Sequence, residues 1–366
     1  MQITSFLQRL MPSWRLAVPV VLVAVEAGSN AACPQAPGPQ GGLPIRTATD
    51  VTFPLLAGAP FQSIYQADQV RRFLDSSGNL VELQERLTVQ GNGNESSPFR
   101  LDFIDQLAPK AKSTVAAQAP KWNAIYADHA GLMFLHSGFR VHDPVLAQAN
   151  YSILDFGTAR RAGRDVRRVV VYPGRPDKAI WVLDVDTLTG IPLYSAEFDP
   201  AARLIGEVEI TALSLGSAVV PRTANWSWSP HLTITNLTSP QQAAAVLTGT
   251  PTIPGVAQIM PEYALRDVHV AGNQLNASQT LVFGYTDGID EFFVSEAFGA
   301  SDPFQVSPMT PRGAPHTHTI ASYDDPGLRA YVFHESGVTF EVVGRGSLRR
   351  LQDVAKRVCH QAVTGF

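Results

Sequence analysis

The sequence predicts an α+β protein built on two antiparallel sheets, the second smaller than the first and finished by one C-terminal helix. Three observations point there. Short runs in which apolar and polar residues alternate recur along much of the chain. Glycines and prolines, 28 and 27 in number, fall between those runs as turns require. Near the end, one stretch instead carries the three-to-four spacing of a helix. At 366 residues the chain exceeds an ordinary domain of roughly 100–200 residues, so two domains are expected.

The N-terminus reads as an export signal over residues 1–32. Arg9 and Arg15 precede the apolar run Leu16 to Val25, and the small residues before Cys33 suit cleavage after Ala31 or Ala32. About ten apolar residues cannot span a bilayer, which takes roughly 20. Residues 33–50 are rich in proline and glycine at first and lack apolar periodicity, as a flexible lead does. The chain has 2 cysteines, Cys33 and Cys359. A disulfide across nearly the whole mature chain, two thiols, or a lipid on Cys33 all stay open. Asn30 speaks against the lipid, because it stands where a lipoprotein signal carries an aliphatic residue.

In Leu80 to Gln90, Val81, Leu83, Leu87 and Val89 share one face of a strand, and Glu85 falls among them. Phe99, Leu101 and Phe103 alternate likewise, after a Gly-Asn-Gly-Asn turn from Gly91 to Asn94. Residues 105–150 give mixed periodicity, with a helix conceivable before Pro120. From Tyr151 the pattern sharpens into five strand-like runs ending near Leu213, the spacing of an antiparallel meander. Residues 219–254, with five prolines, read as a linker. Further strands follow from Tyr263 to Gly344, and then Ser347 as a helix N-cap. Leu348, Leu351, Ala355 and Val358 form that helix's apolar stripe. The expected domains are therefore 51–218 and 255–366.

Chemistry-bearing residues are present, but none forms a catalytic pattern. Asp184 and Asp186 precede Gly190 as in a calcium loop, yet a closing Glu is missing at the required position, and a hairpin bend explains them. His129, His136 and His142 cluster in sequence, and His316 and His318 form His-Thr-His; neither set has the spacing of a helical zinc motif. There is no Gly-x-Ser-x-Gly elbow. Gly344-Arg345-Gly346 is a glycine pair before a helix N-terminus, a place that can hold an anion, although as a helix lead-in it needs no ligand. Arg160, Arg161, Arg164, Arg167 and Arg168 read as a solvated strand edge or a contact for an acidic partner. A net charge of −4 gives no polyanion signature, so no nucleic-acid partner is expected, and no cofactor or metal either. Glu85 is the oddity: a carboxylate buried unpaired on an apolar face costs several kcal/mol, so it needs an inward Arg, water or a cavity mouth.

Residues 151–217, with Ala162-Gly163-Arg164, Tyr172-Pro173, Trp181 to Asp186 and Thr189-Gly190-Ile191-Pro192-Leu193, resemble the MucB/RseB family of periplasmic regulators of envelope-stress sigma factors. Gly284 to Val294 and the stretch from Val338 to Val358 resemble that family's smaller C-terminal domain. The resemblance implies a LolA-like first domain, an unclosed antiparallel β-barrel wrapped around helices with an apolar concavity. It also implies a periplasmic, non-catalytic protein that binds the periplasmic part of a membrane anti-sigma factor and senses lipid-like ligands. The expected ligand face is Val81, Leu83, Glu85, Leu87, Val89, Phe99, Leu101 and Phe103. Two alternatives stand beside this: an envelope lipid or lipoprotein carrier of LolA type, and a secreted hydrolase using a metal on His316 and His318. The identity of partner and ligand, and any homo-oligomer, are left open.

Overall fold

A computed structural model describes residues 50–74, 80–95, 97–104, 134–135, 137–216, 232–238, 242–247, 260, 262–273, 279–298, 318–321, 329–335, 338–345, 351 and 353–357. The export signal, the lead up to residue 49, both cysteines, His316 and the helix conceived before Pro120 lie outside them.

Helix α1 (Phe53–Gln62) opens because Thr52 caps it, its hydroxyl accepting from the Leu55 amide at 3.3 Å, with a proline in the first turn. Strands β1 (Ile64–Leu74), β2 (Leu80–Gln90) and β3 (Phe99–Phe103) follow. Helix α2 (Pro144–Asn150) is capped by Asp143, whose carboxylate accepts from the amides of Val145 at 2.8 Å and Leu146 at 3.0 Å. It leads into the meander β4 (Tyr151–Arg161), β5 (Arg164–Pro173), β6 (Ile180–Asp186), β7 (Pro192–Phe198) and β8 (Leu204–Leu215). The β4–β5 bend places Ala162 and Gly163 at φ 49° and 75°, the two left-handed positions of a two-residue hairpin.

These strands form one eight-stranded antiparallel sheet ordered β3-β2-β1-β8-β7-β6-β5-β4. β3 and β4 stand at its two ends with no ladder between them among the described residues, so the barrel is unclosed. Its apolar face packs on α1. Phe53 and Leu56 meet Val169, Trp181 and Leu183, while Ala59 and Phe61 join Leu83, Leu87 and Leu193. α1 comes so close to the β6–β7 bend that a Cβ on Gly190, already at φ 75°, would lie 2.7 Å from Leu55.

The second sheet is seven-stranded, β13-β14-β15-β12-β11-β10-β9. It holds β9 (Leu232–Leu237), β10 (Ala264–Asn273), β11 (Gln279–Thr286), β12 (Glu291–Phe298), β13 (His318–Ala321), β14 (Arg329–Glu335) and β15 (Val338–Gly344), with short helix α3 (Ala243–Val246) between β9 and β10. β9 corrects the expectation of a linker over 219–254: Leu232–Leu237 pairs with β10 along Val268 to Asn273. The prolines that suggested a linker, Pro230 and Pro240, flank this strand and leave its amides free to bond, while Thr233, Ile234 and Thr235 suit a pleated surface. Residues 353–357 are helical, and Leu351, Val354 and Ala355 enter the core formed with Tyr285, Phe292 and Phe340. Val354 joins the expected stripe, whose ends Leu348 and Val358 lie outside the described residues. Both sheets belong to one compact unit of the chain.

Candidate functional site

The expected ligand face is assembled by the β1–β2–β3 ladder. Leu87 stands opposite Leu101, Val89 opposite Phe99, and Glu85 opposite Phe103. Leu83, Leu87, Val89, Phe99 and Leu101 are buried, with Val81 and Phe103 half-buried at the margin. The chain itself covers this face: Phe134 and Leu135 pack on it, with the Phe134 ring 4.6 Å from Phe99 and 6.0 Å from Phe61.

Glu85 is 1% exposed and finds the inward cation that physics demands. Register sets Gln69 directly across from it and Arg71 two residues further along the same face. The Arg71 guanidinium donates to its two oxygens at 2.6 and 3.2 Å, and the Gln69 amide donates at 2.5 Å. The third guanidinium nitrogen of Arg71 donates to the Ser137 hydroxyl at 2.9 Å, fastening the covering segment to the sheet.

Beside this network lies a cavity of about 50 Å³ bordered by Tyr65, Gln69, Arg71, Leu87, Phe134 and Arg140. Of the eight expected ligand residues, Leu87 alone borders it. The Arg140 guanidinium lies over the Phe134 ring at 4.4 Å and near the Phe61 ring at 5.6 Å. Its Nε is buried without a hydrogen-bond partner. Burial pulls its pKa down, the charge of Arg71 adds to that, and Tyr65 and Glu95 oppose it. Burial pushes the Tyr65 hydroxyl up to about 12, against the charge of Arg140.

The other concentration of charge joins the two sheets. The β11–β12 bend, residues 287–290, inserts beside α2 and β4. The Gly288 carbonyl accepts from the amides of His142 at 2.8 Å and Asp143 at 3.2 Å. Asp287 is fully buried; its carboxylate pairs with Lys178 and accepts from the Tyr151 hydroxyl at 2.8 Å. Ile289 enters the apolar cluster of Phe53, Phe139 and Trp181. Asp290 accepts from the Tyr263 hydroxyl at 2.9 Å. Burial, then the charges of Asp287 and Glu197, hold Asp290 well above the usual carboxylate range against Lys178 and Arg345. Arg345 pairs with Glu197 and lies 4.7 Å over the Trp181 ring. The Arg266 guanidinium donates to His142 Nδ1 at 2.8 Å and also pairs with Glu95, and His142 sits 3.5 Å from Glu291.

Sequence reasoning missed this joint. Its members are far apart in the chain, and the one available signal was Asp143-Pro144, a helix N-cap followed by proline. His142 is thus a buried joint residue, while His318 opens β13 and its neighbour His316 lies outside the described residues.

Arg160 is exposed as expected, but the rest of the arginine run is less solvated. Arg161 and Arg168 both bond Asp184, Arg164 bonds Asp186, and Arg167 bonds Asp155. The alternating register of β4, β5 and β6 places those carboxylates within reach, so the charges cancel inside the sheet. Burial would raise the Asp184 and Asp186 carboxyls, but these guanidiniums outweigh it and hold both below the ordinary range. Asp186 also accepts from the Thr189 amide at 2.9 Å and hydroxyl at 2.6 Å, which makes the loop a bend closed by its own side chain. Among the described residues no group of His, Cys, Asp or Glu is placed to hold a metal ion.

No protein-family model matches the sequence, and no curated protein matches it. Among solved structures the chain is similar to MucB in the MucA/MucB complex of Pseudomonas aeruginosa, at 17% identity and TM-score 0.42, covering 82% of this chain and 95% of that one. It is similar to a second MucB structure at 17% identity and TM-score 0.41, covering 84% and 94%. A lipoprotein-sorting protein domain from Vibrio parahaemolyticus matches at 10% identity and TM-score 0.17, covering 43% and 87%. None of these scores ties this chain's partner or ligand to theirs.

Proposed function

We propose that this chain is a non-catalytic binding protein of the bacterial periplasm that holds the periplasmic part of a membrane anti-sigma factor, its half-barrel responding to lipid-like ligands. One observation carries the reading. The stretch that resembles the MucB/RseB regulators, residues 151–217, is the continuous β4–β8 meander of an unclosed sheet. The stretch from Gly284 to Val294 contains the inserted β11–β12 bend, and the stretch from Val338 carries Arg345, which pairs with Glu197 of the meander. The residues behind the resemblance are therefore those that make each unit and join the two, as a shared two-domain regulator requires.

The lipid-responsive face is Val81, Leu83, Glu85, Leu87, Val89, Phe99, Leu101 and Phe103. An acyl chain does not fit the present 50 Å³, so a lipid enters by displacing Phe134 and Leu135. That coupling between ligand entry and movement of a covering segment suits a sensor. Mixing the mature chain with the periplasmic segment of the anti-sigma factor from the same bacterium tests the partner: a complex that co-elutes on size exclusion is expected, and separate elution at tens of micromolar refutes it. Displacement of a fluorescent fatty acid tests the ligand.

A further inference from the structure

We infer that the half-barrel cavity is a binding site for a carboxylate anion, held by Arg140. The inference stands independently of the anti-sigma-factor reading, while its acyl-head arm rests on the lipid reading of the half-barrel. Two guanidiniums border the cavity, and only one is neutralised: Arg71 is forked onto Glu85, whereas Arg140 has no ion pair or hydrogen bond among the described residues. Glu95 is near enough to be felt electrostatically, yet it pairs with Arg266 and lies 3.6 Å from His142. The cavity therefore keeps an uncompensated positive charge in apolar surroundings, where an anion gains far more than in water.

Arg140 is also held in place rather than swinging free, since its guanidinium rests over the Phe134 ring, with the Phe61 ring close by. Size and shape select the anion. A space of about 50 Å³ takes about three or four heavy atoms, the size of a carboxylate group. A planar carboxylate meets a guanidinium fork with two parallel hydrogen bonds. The hydroxyl-bearing Tyr65 and Ser195 border the same space. Such a carboxylate comes either as a small free acid or as the head of an acyl chain whose tail would extend along the Leu87 side.

The test is a carbon-13 NMR titration of the whole mature chain with carboxyl-labelled acetate and, separately, carboxyl-labelled laurate, with inorganic phosphate as competitor. Wild type should bind at least one of them saturably, and Arg140→Gln should weaken that binding about tenfold or more, the loss expected for a charge-assisted pair. Arg140→Gln should keep the near-ultraviolet circular dichroism of the wild type and melt no lower, because it removes an uncompensated buried charge. Acetate binding assigns a free small acid, and binding of laurate alone assigns an acyl head. If Arg140→Gln loses its tertiary signal, Arg140→Lys decides: it keeps the charge, loses the fork, and should bind more weakly than wild type. No saturable binding of either acid, binding unchanged in the folded variant, or displacement by phosphate at equal concentration overturns the inference.

Discussion

Replacing Glu85 with Leu removes the carboxylate that the Arg71 guanidinium pairs with inside the half-barrel. The two side chains are 0% and 4% exposed, so water cannot screen the stranded guanidinium. Among the described residues three hydrogen bonds to Glu85 are lost, two from Arg71 and one from Gln69. Breaking a buried pair from one side costs about 3–5 kcal/mol, because the remaining charge keeps its desolvation penalty without its partner. The same change made together with Arg71→Met leaves no buried charge at this point, only the neutral Gln69 and Ser137 groups, and should recover most of that loss, since hydrophobic replacement of a whole buried pair is often neutral. Urea unfolding of the four proteins of this cycle, followed by circular dichroism, measures both quantities. A cost below about 1 kcal/mol for Glu85→Leu, or a double variant no more stable than the single one, would refute the placement of this pair at the centre of the fold.

Leu87→Asp places a carboxylate on the same buried face beside the cavity, where it competes for Arg140; it should lower stability and abolish uptake of fluorescent fatty acid, and unchanged stability and uptake would show the face is misassigned. Gly288→Ala should loosen the joint between the sheets, because a Cβ there would collide with the Ala147 backbone at a residue already at φ 109°; limited proteolysis at α2 should quicken while the β4–β8 meander keeps its hydrogen-exchange protection. Asp290 should make stability fall as pH rises. Its native pKa lies above the unfolded value near 3.9, so the native state holds the proton longer, and the stabilisation present below about pH 4 is lost as pH climbs through the native value. Unfolding free energies from pH 4 upward should show that decline in the wild type and a flatter profile in Asp290→Asn.

The meander was legible because β4–β8 are short runs rich in β-branched and aromatic residues, divided by brief turns. β1 was not, since its inward positions include Gln69 and Arg71, polar residues that mimic a surface until the register with β2 sets them against Glu85. The misfit of Glu85 could therefore be seen in the sequence, but not its partner. Strand β9 was hidden by prolines that bracket it without entering it. The joint was illegible for a different reason: Asp287, Lys178, His142 and Glu291 look like ordinary loop and surface charges, and only the packing of two sheets makes them a buried set. Arg140 shows the same limit, because a charge becomes informative only when its neighbours are known to leave it unpaired.

Isothermal titration calorimetry of the mature chain with the periplasmic segment of the anti-sigma factor from the same organism addresses the proposed function most directly. Saturable one-to-one binding, weakened when lipid-like amphiphile is added, is the predicted result. No heat of binding at tens of micromolar, under conditions where both proteins are folded, would contradict it.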